Sequence, residues 1–386
     1  MALELGSRTK LVMQSEIRNM TIECHRVGGI NLAQGVCDTE VPPVVRLGAR
    51  EAMENGVNSY TRYDGLAELQ EAIAAKQKNF TGMQVDPQKE IVVSVGATGA
   101  LYCACLALLN PGDEVIVFEP YYGYHVSTLI AAQAVPVFVG LSQPDWTFSF
   151  EALERIATPR TKAIIINTPA NPSGKVFSRS ELELIAQFAV KYDLFVFTDE
   201  IYEHFIYDNN RHIAPATLPG MGERTITISG LSKTFSITGW RIGYSICSAR
   251  WAQAIGFFND LVYVCAPAPL QLGVAKGLSA LTAGYYEDLA SQCSVKRDDL
   301  CASLSKAGLE PYVPQGAYYI LADISRLPGK NSKERAMSLL KKTGVACVPG
   351  EAFYHDAAGE NLARFCYAKA KDLLDEACAR IENLRL

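Results

Sequence analysis

Short runs rich in β-branched and aromatic residues alternate along this chain with longer stretches in which apolar positions recur every three or four residues. The runs 91–95, 114–118, 135–139, 163–166 and 194–198 are apolar on nearly every position, and 225–228 alternates threonine with isoleucine. A strand with no polar face is one buried on both sides, so these runs predict a mostly parallel sheet covered by helices on both faces. The stretch after Gly96 to Leu109 and the stretch 181–191 predict two of the covering helices. Beyond about residue 276 the pattern changes. A long helix over 283–304 precedes strand signals at 316–323, 345–349 and 362–368 and a final helix, which together predict a smaller α+β domain.

Composition narrows the class without naming a function. At 386 residues, 49% of them hydrophobic and 20% charged, the chain suits one large or two modest globular domains. A net charge of −5 offers no basic face to nucleic acid or to an anionic membrane. No apolar run reaches the ~20 residues needed to span a bilayer. The start, Met1 to Arg8, lacks the basic and apolar regions of a signal peptide, so the expected compartment is the cytoplasm. Eleven cysteines, an odd number, argue against a disulfide framework. Cys103 and Cys105 lie in an apolar stretch and read as core residues. The five histidines form no close ligand pair, and a metal centre is not expected.

The residues with chemistry follow strand ends: Gly96 after Val95, Tyr122 after Phe118, Asn171 after Ile166, Asp199 after Phe197 and Lys233 after Ile228. In an open α/β sheet that edge is where ligands bind. Lys233 has small residues behind it and Arg241 eight positions on. A buried lysine beside other cations has a lowered pKa and becomes a nucleophile toward a carbonyl, while the arginine can hold a phosphate. Gly96-Ala97-Thr98 joins a strand to a helix, where free N–H groups and the helix dipole favour an anion. Each feature taken singly has a plainer reading: a surface lysine, an ordinary turn, an aspartate capping a helix, an arginine in a strand-end salt bridge.

Gly96-Ala97-Thr98-Gly99-Ala100-Leu101, then Asn167-Thr168-Pro169-Ala170-Asn171-Pro172-Ser173-Gly174, then Asp199-Glu200-Ile201-Tyr202, then Ser229 through Gly243, and finally Arg364-Phe365, stand in an order that resembles the pyridoxal-phosphate (PLP) aminotransferases of fold type I, class I/II. The resemblance runs from about Ile30 to the C-terminus. It implies a large PLP-binding domain over 46–275 and a small one over 276–386, completed by the N-terminal segment 1–45. It implies transfer of an amino group from an L-amino acid to a 2-oxo acid, with Lys233 forming an imine with the cofactor and then serving as general base. Gly96, Ala97, Thr98 and Arg241 would hold the phosphate, Tyr122 would stack on the ring, and Asn171 and Tyr202 would bond its 3′ oxygen. Asp199 would face the ring nitrogen. Gly35, Asn171 and Arg364 would bind the substrate, with Arg364 on its α-carboxylate. Tyr60, with Tyr63 as competitor, would reach the phosphate of a neighbouring subunit, which implies a homodimer with shared active sites.

Two departures from the family pattern stand out. A serine usual three residues before the lysine is Gly230 here, which leaves Ser229 or Ser232 to supply a phosphate contact. The usual Pro-Asp after the N-terminal glycine is replaced by Val36-Cys37-Asp38. A C–S β-lyase on the same scaffold is the alternative reaction, and a PLP-fold binding protein without turnover is the alternative class. A nucleotide-dependent dehydrogenase would need Gly-x-Gly-x-x-Gly after its first strand, and that pattern is absent there.

Overall fold

The computed structural model describes residues 3–11 and 15–385. In chain order its strands are β1 (Ile30–Asn31), β2 (Ile91–Val95), β3 (Glu114–Glu119), β4 (Val135–Gly140), β5 (Thr161–Asn167), β6 (Phe195–Asp199), β7 (Thr225–Gly230) and β8 (Ile242–Ile246). They continue with β9 (Glu310–Tyr312), β10 (Tyr319–Asp323), β11 (Val345–Ala346), β12 (Val348–Pro349) and β13 (Leu362–Cys366).

Seven of these form the large sheet, in the order β2-β8-β7-β6-β5-β3-β4. Strands β7, β6, β5, β3 and β4 run parallel, and β8 lies antiparallel between β2 and β7. Its centre is apolar on both faces: Ala163, Ile164, Ile165 and Ile166 of β5 are all buried. Burying each such isoleucine contributes about 2 kcal/mol. The pattern of the sequence therefore predicts most of this sheet but omits β8, whose residues follow the Lys233 segment directly and carry two small positions, Gly243 and Ser245. The helix predicted over 181–191 is Arg179–Lys191, started by a capping box in which Ser178 and Glu181 satisfy each other's N–H groups. The long helix is Ala283–Lys306.

Strands β12, β13, β10 and β9 make a second, antiparallel sheet. Residues 345–349 do not form one strand as the pattern predicts. Val345–Ala346 pairs in parallel with Ile30–Asn31, while Val348–Pro349 pairs with β13. The N-terminal segment is thus stitched to the C-terminal part: the Leu32 N–H donates to the Ala346 carbonyl at 3.0 Å, and the Cys366 N–H to the Leu32 carbonyl at 2.7 Å. One apolar core joins the two sheets, running from Ile164 and Phe188 to Leu321 and Phe365. Among the described residues, no helix is long and apolar enough to cross a membrane.

Candidate active site

The C-terminal ends of the parallel strands gather the predicted residues on one edge. At the end of β2 the helix Gly96–Leu108 begins without any side-chain cap, so the N–H groups of its first turn have no protein acceptor of that kind. Gly96 has φ +72°, and a Cβ there would lie 2.3 Å from Arg241 Nη2. A Cβ on Gly243 would lie 2.3 Å from the Ala97 nitrogen. Arg241 itself adopts a left-handed conformation, φ 56°, and its Nη1 donates to the Thr238 carbonyl at 3.1 Å. The result is a concave cradle of backbone N–H groups and a guanidinium, with Thr98 half-buried beside it. Gly96→Ala combines a strained φ with this collision. We expect it to weaken cofactor retention strongly and to destabilise the protein by about 1–3 kcal/mol, measured by dialysis and thermal unfolding.

Ser229 does not supply the missing hydroxyl. Its Oγ donates to Glu203 Oε1 at 2.8 Å, and Glu203 is ion-paired with the buried Lys76. Ser232 stays buried in the turn next to Lys233. The structure also explains Gly230: it pairs with Gly243 of β8, and a Cβ there would meet the Ile242 carbonyl oxygen at 2.9 Å. A serine here would require β8 to move back from β7.

Lys233 Nζ donates to the Gly35 carbonyl at 3.2 Å, and the Tyr318 hydroxyl donates to the same oxygen at 3.2 Å. Burial lowers the Lys233 pKa below the ordinary lysine value; Cys37 and Cys366 oppose this, and Arg241 and Arg364 add to it. Asp199 uses both oxygens. Oδ1 accepts the Ile201 N–H at 3.2 Å and Oδ2 meets His125 Nε2 at 2.8 Å. The segment after Asp199 forms a turn at 201–204 and not a helix, so Asp199 caps no helix; it holds the first N–H of that turn and is paired with His125. His125 is a residue that sequence reasoning missed. The available signal was its place three residues after Tyr122, on the same side of the helix Gly123–Ala131.

Of the three neighbouring tyrosines, Tyr122 lies edge-on to His125 with ring centroids 5.4 Å apart. Tyr121 packs on Phe138 instead, and Tyr124 stacks on the outer side of Tyr122. The Tyr202 and Tyr319 hydroxyls are hydrogen-bonded at 2.9 Å. Tyr318 and Tyr319 were also missed, because a tandem tyrosine in an apolar strand reads as core.

Arg364 on β13 is 1% exposed. Its Nη1 donates to Asn171 Oδ1 at 2.8 Å and its Nη2 to the Ala33 carbonyl at 2.6 Å. The guanidinium carbon sits 4.2 Å from the Tyr319 ring centroid and 5.1 Å from that of Phe353. The Nε–H is buried without a partner. An unpaired charged donor in such a place is costly, which marks it as reserved for an acceptor that arrives from outside. Gly35 lies close by, and a Cβ on it would fall 1.9 Å from the Tyr319 hydroxyl. Tyr60 stands apart from all of these, 83% exposed, whereas Tyr63 packs on Phe257 and against Gly256.

The family model described as aminotransferase class I and II matches residues 27–381. The chain belongs to this family. A probable N-succinyldiaminopimelate aminotransferase of Mycobacterium tuberculosis (strain CDC 1551 / Oshkosh) is 38% identical, the alignment covering 98% of both chains. An aspartate aminotransferase of Pyrococcus abyssi is 37% identical, covering 99% of this chain and 98% of its own. The solved structure of N-succinyldiaminopimelate aminotransferase from Mycobacterium tuberculosis is similar with a TM-score of 0.95 at 37% identity, covering 98% of this chain and 99% of that one. The protein is an aminotransferase, and the cofactor of its family is pyridoxal phosphate.

The residues of this aminotransferase fit that cofactor. The cradle at Gly96, which any larger residue would fill, and the Arg241 guanidinium suit a phosphate dianion. A carboxylate held by His125 suits a protonated ring nitrogen, and an amine of lowered pKa suits a carbonyl.

Proposed function

We propose that Lys233 is the amine that carries the cofactor and moves the proton, and that Arg364 binds the α-carboxylate of an L-amino acid donor and of its 2-oxo acid counterpart. The observation that carries this reading is Arg364: a buried guanidinium packed near two aromatic rings, with its Nε–H left unpaired. A bidentate arginine–carboxylate pair would fix the donor's Cα in one orientation. Bound pyridoxal phosphate supplies an electron sink for the pair left when the Cα proton departs. Lys233, with its lowered pKa, takes that proton as a free base and would return it to the cofactor carbon within the same half-reaction; the second half-reaction reverses the transfer. Asp199 holds negative charge for the ring nitrogen, His125 anchors it, and Tyr202 and Asn171 offer hydrogen bonds to the ring oxygen. Tyr122 covers the ring.

The active unit in this reading is a homodimer. Tyr60, Phe257, Leu261 and Val264 are all exposed, an apolar set that suits a partner surface. The proposed domains are 46–275 around the large sheet and 276–386 with 1–45 around the small one. The proposed compartment is the cytoplasm, since the eleven cysteines are all unpaired.

Arg364→Lys keeps the charge and loses the fork. It should lower kcat/KM for amino acids by about a hundredfold, mostly through KM, and leave an amine without a carboxylate largely unaffected. Equal losses for both kinds of donor would refute the assignment. Tyr60→Phe should separately weaken cofactor retention, and a fully active monomer in sedimentation would refute the shared site.

A further inference from the structure

Residues 350–355 form a strap from the small sheet to the end of β3. At its start, Glu351 and Ser332 bond each other: the Ser332 hydroxyl donates to Glu351 Oε2 and the Glu351 N–H to Ser332 Oγ, both at 3.1 Å. At its far end, Glu119, the last residue of β3 and 3% exposed, takes two donors from one residue. The His355 N–H reaches Oε1 at 2.6 Å and the His355 Nδ1 meets Oε2 at 2.8 Å. The imidazole also stacks on Phe138 of β4, with centroids 4.5 Å apart and planes at 9°. Between these anchors lies Phe353, whose carbonyl accepts the Tyr121 N–H at 2.9 Å and whose ring lies against Arg364. None of the chemistry described above uses Glu119 or His355.

A carboxylate this buried is costly unless paired, and here both its oxygens are committed to one residue of the strap. We propose that Glu119 and His355 form a clasp that seats Phe353 on Arg364 and so sets how tightly the α-carboxylate is held. The clasp acts through Phe353: with the strap tied on both sides of it, the ring is held 5.1 Å from the guanidinium carbon and limits how that group can turn. Released, the guanidinium has more orientations to lose when a carboxylate arrives, and the fork is no longer preorganised. Both residues are positioning residues. The proposal rests on the reading that Arg364 binds the carboxylate.

The test uses the PLP-loaded enzyme and two small probes that differ by one carboxylate, α-methylalanine and isopropylamine. Neither depends on the identity of the natural donor, and α-methylalanine has no Cα proton to lose. Binding is read from the cofactor's absorbance, with Tm as a check of folding. Glu119→Gln keeps the size and one acceptor. His355→Phe keeps the stacking on Phe138 and removes the ring N–H at a half-exposed position, so it serves even where the first variant folds poorly. Each should weaken α-methylalanine by about tenfold, as expected for a lost hydrogen bond to a charged group, and leave isopropylamine within about twofold. The double variant should be no worse than the poorer single, because the two form one contact. Equal weakening of both probes, or no weakening, overturns the clasp. Arg364→Lys in the same assay separates the two levels. If it weakens only α-methylalanine while the clasp variants do nothing, this inference alone falls. If it weakens both probes alike, the reading of Arg364 falls with it.

Discussion

Lys233→Ala should lower the half-reaction rate by about 10³–10⁴-fold, the upper range for a positioned proton-transfer group. The structure makes the loss specific to this lysine. Its amine donates to the Gly35 carbonyl, which also accepts the Tyr318 hydroxyl, and burial lowers its pKa, with Arg241 and Arg364 adding to the effect. Borohydride treatment of the holoenzyme followed by peptide mapping should place the cofactor's mass on Lys233, and label on another lysine would sink the assignment. The pH dependence has a definite sign. A lysine of lowered pKa is a free amine at pH values where ordinary lysines are still protonated. Competitive acetylation of the apoenzyme should therefore show the reactivity of Lys233 rising at lower pH than that of exposed lysines. Coincident profiles would remove the electrostatic part of the argument.

The second large effect concerns Asp199, where two roles share one side chain. Asp199→Asn retains an acceptor for the Ile201 N–H and loses the charge beside His125. If the residue only held that turn, the half-reaction would proceed at nearly the native rate. We expect instead a loss of about 10³-fold, the scale of removing one preorganised electrostatic contact from a dry active site. Folding should suffer less, since only one buried pairing of about 1–3 kcal/mol is disturbed. Cofactor absorbance and Tm, measured on the same samples, separate the two contributions. A native rate with cofactor bound would leave Asp199 with the turn alone.

Much of the site was legible because its residues occupy one kind of position. Gly96, Asn171, Asp199 and Lys233 each follow a strand whose apolar run is visible in the sequence, and parallel strands bring their C-terminal ends to one edge. Ser229 shows the limit of that logic. It stands only four residues before Lys233, yet it lies within β7 and its hydroxyl goes to Glu203. Its neighbour Gly230 looked like a lost ligand and lets β8 approach closely, a strand with too little apolar signal to be recognised. The run 345–349 failed for a related reason: its apolar pattern is continuous, but its hydrogen-bond partners change at Cys347. His125, Tyr318 and Tyr319 resembled core residues, and they are buried. What sets them apart is what they are buried against: Asp199, the Gly35 carbonyl and the Tyr202 hydroxyl.

By itself the sequence determined the class of fold, the alternation of helices with most strands of the large sheet, and the chemical groups at the strand ends. These follow from local periodicity and from residue types, which each short segment carries within itself. Only the tertiary structure decided the pairings: His125 with Asp199, 74 positions apart; Arg364 with Asn171, 193 apart; and Arg364 with Ala33, 331 apart. A strand's period of two says that one face differs from the other, but not which face meets the site. That choice is made when the sheets, the N-terminal segment and the strap at 350–355 pack together, because burying their apolar faces leaves each polar group only the partners that packing brings within reach.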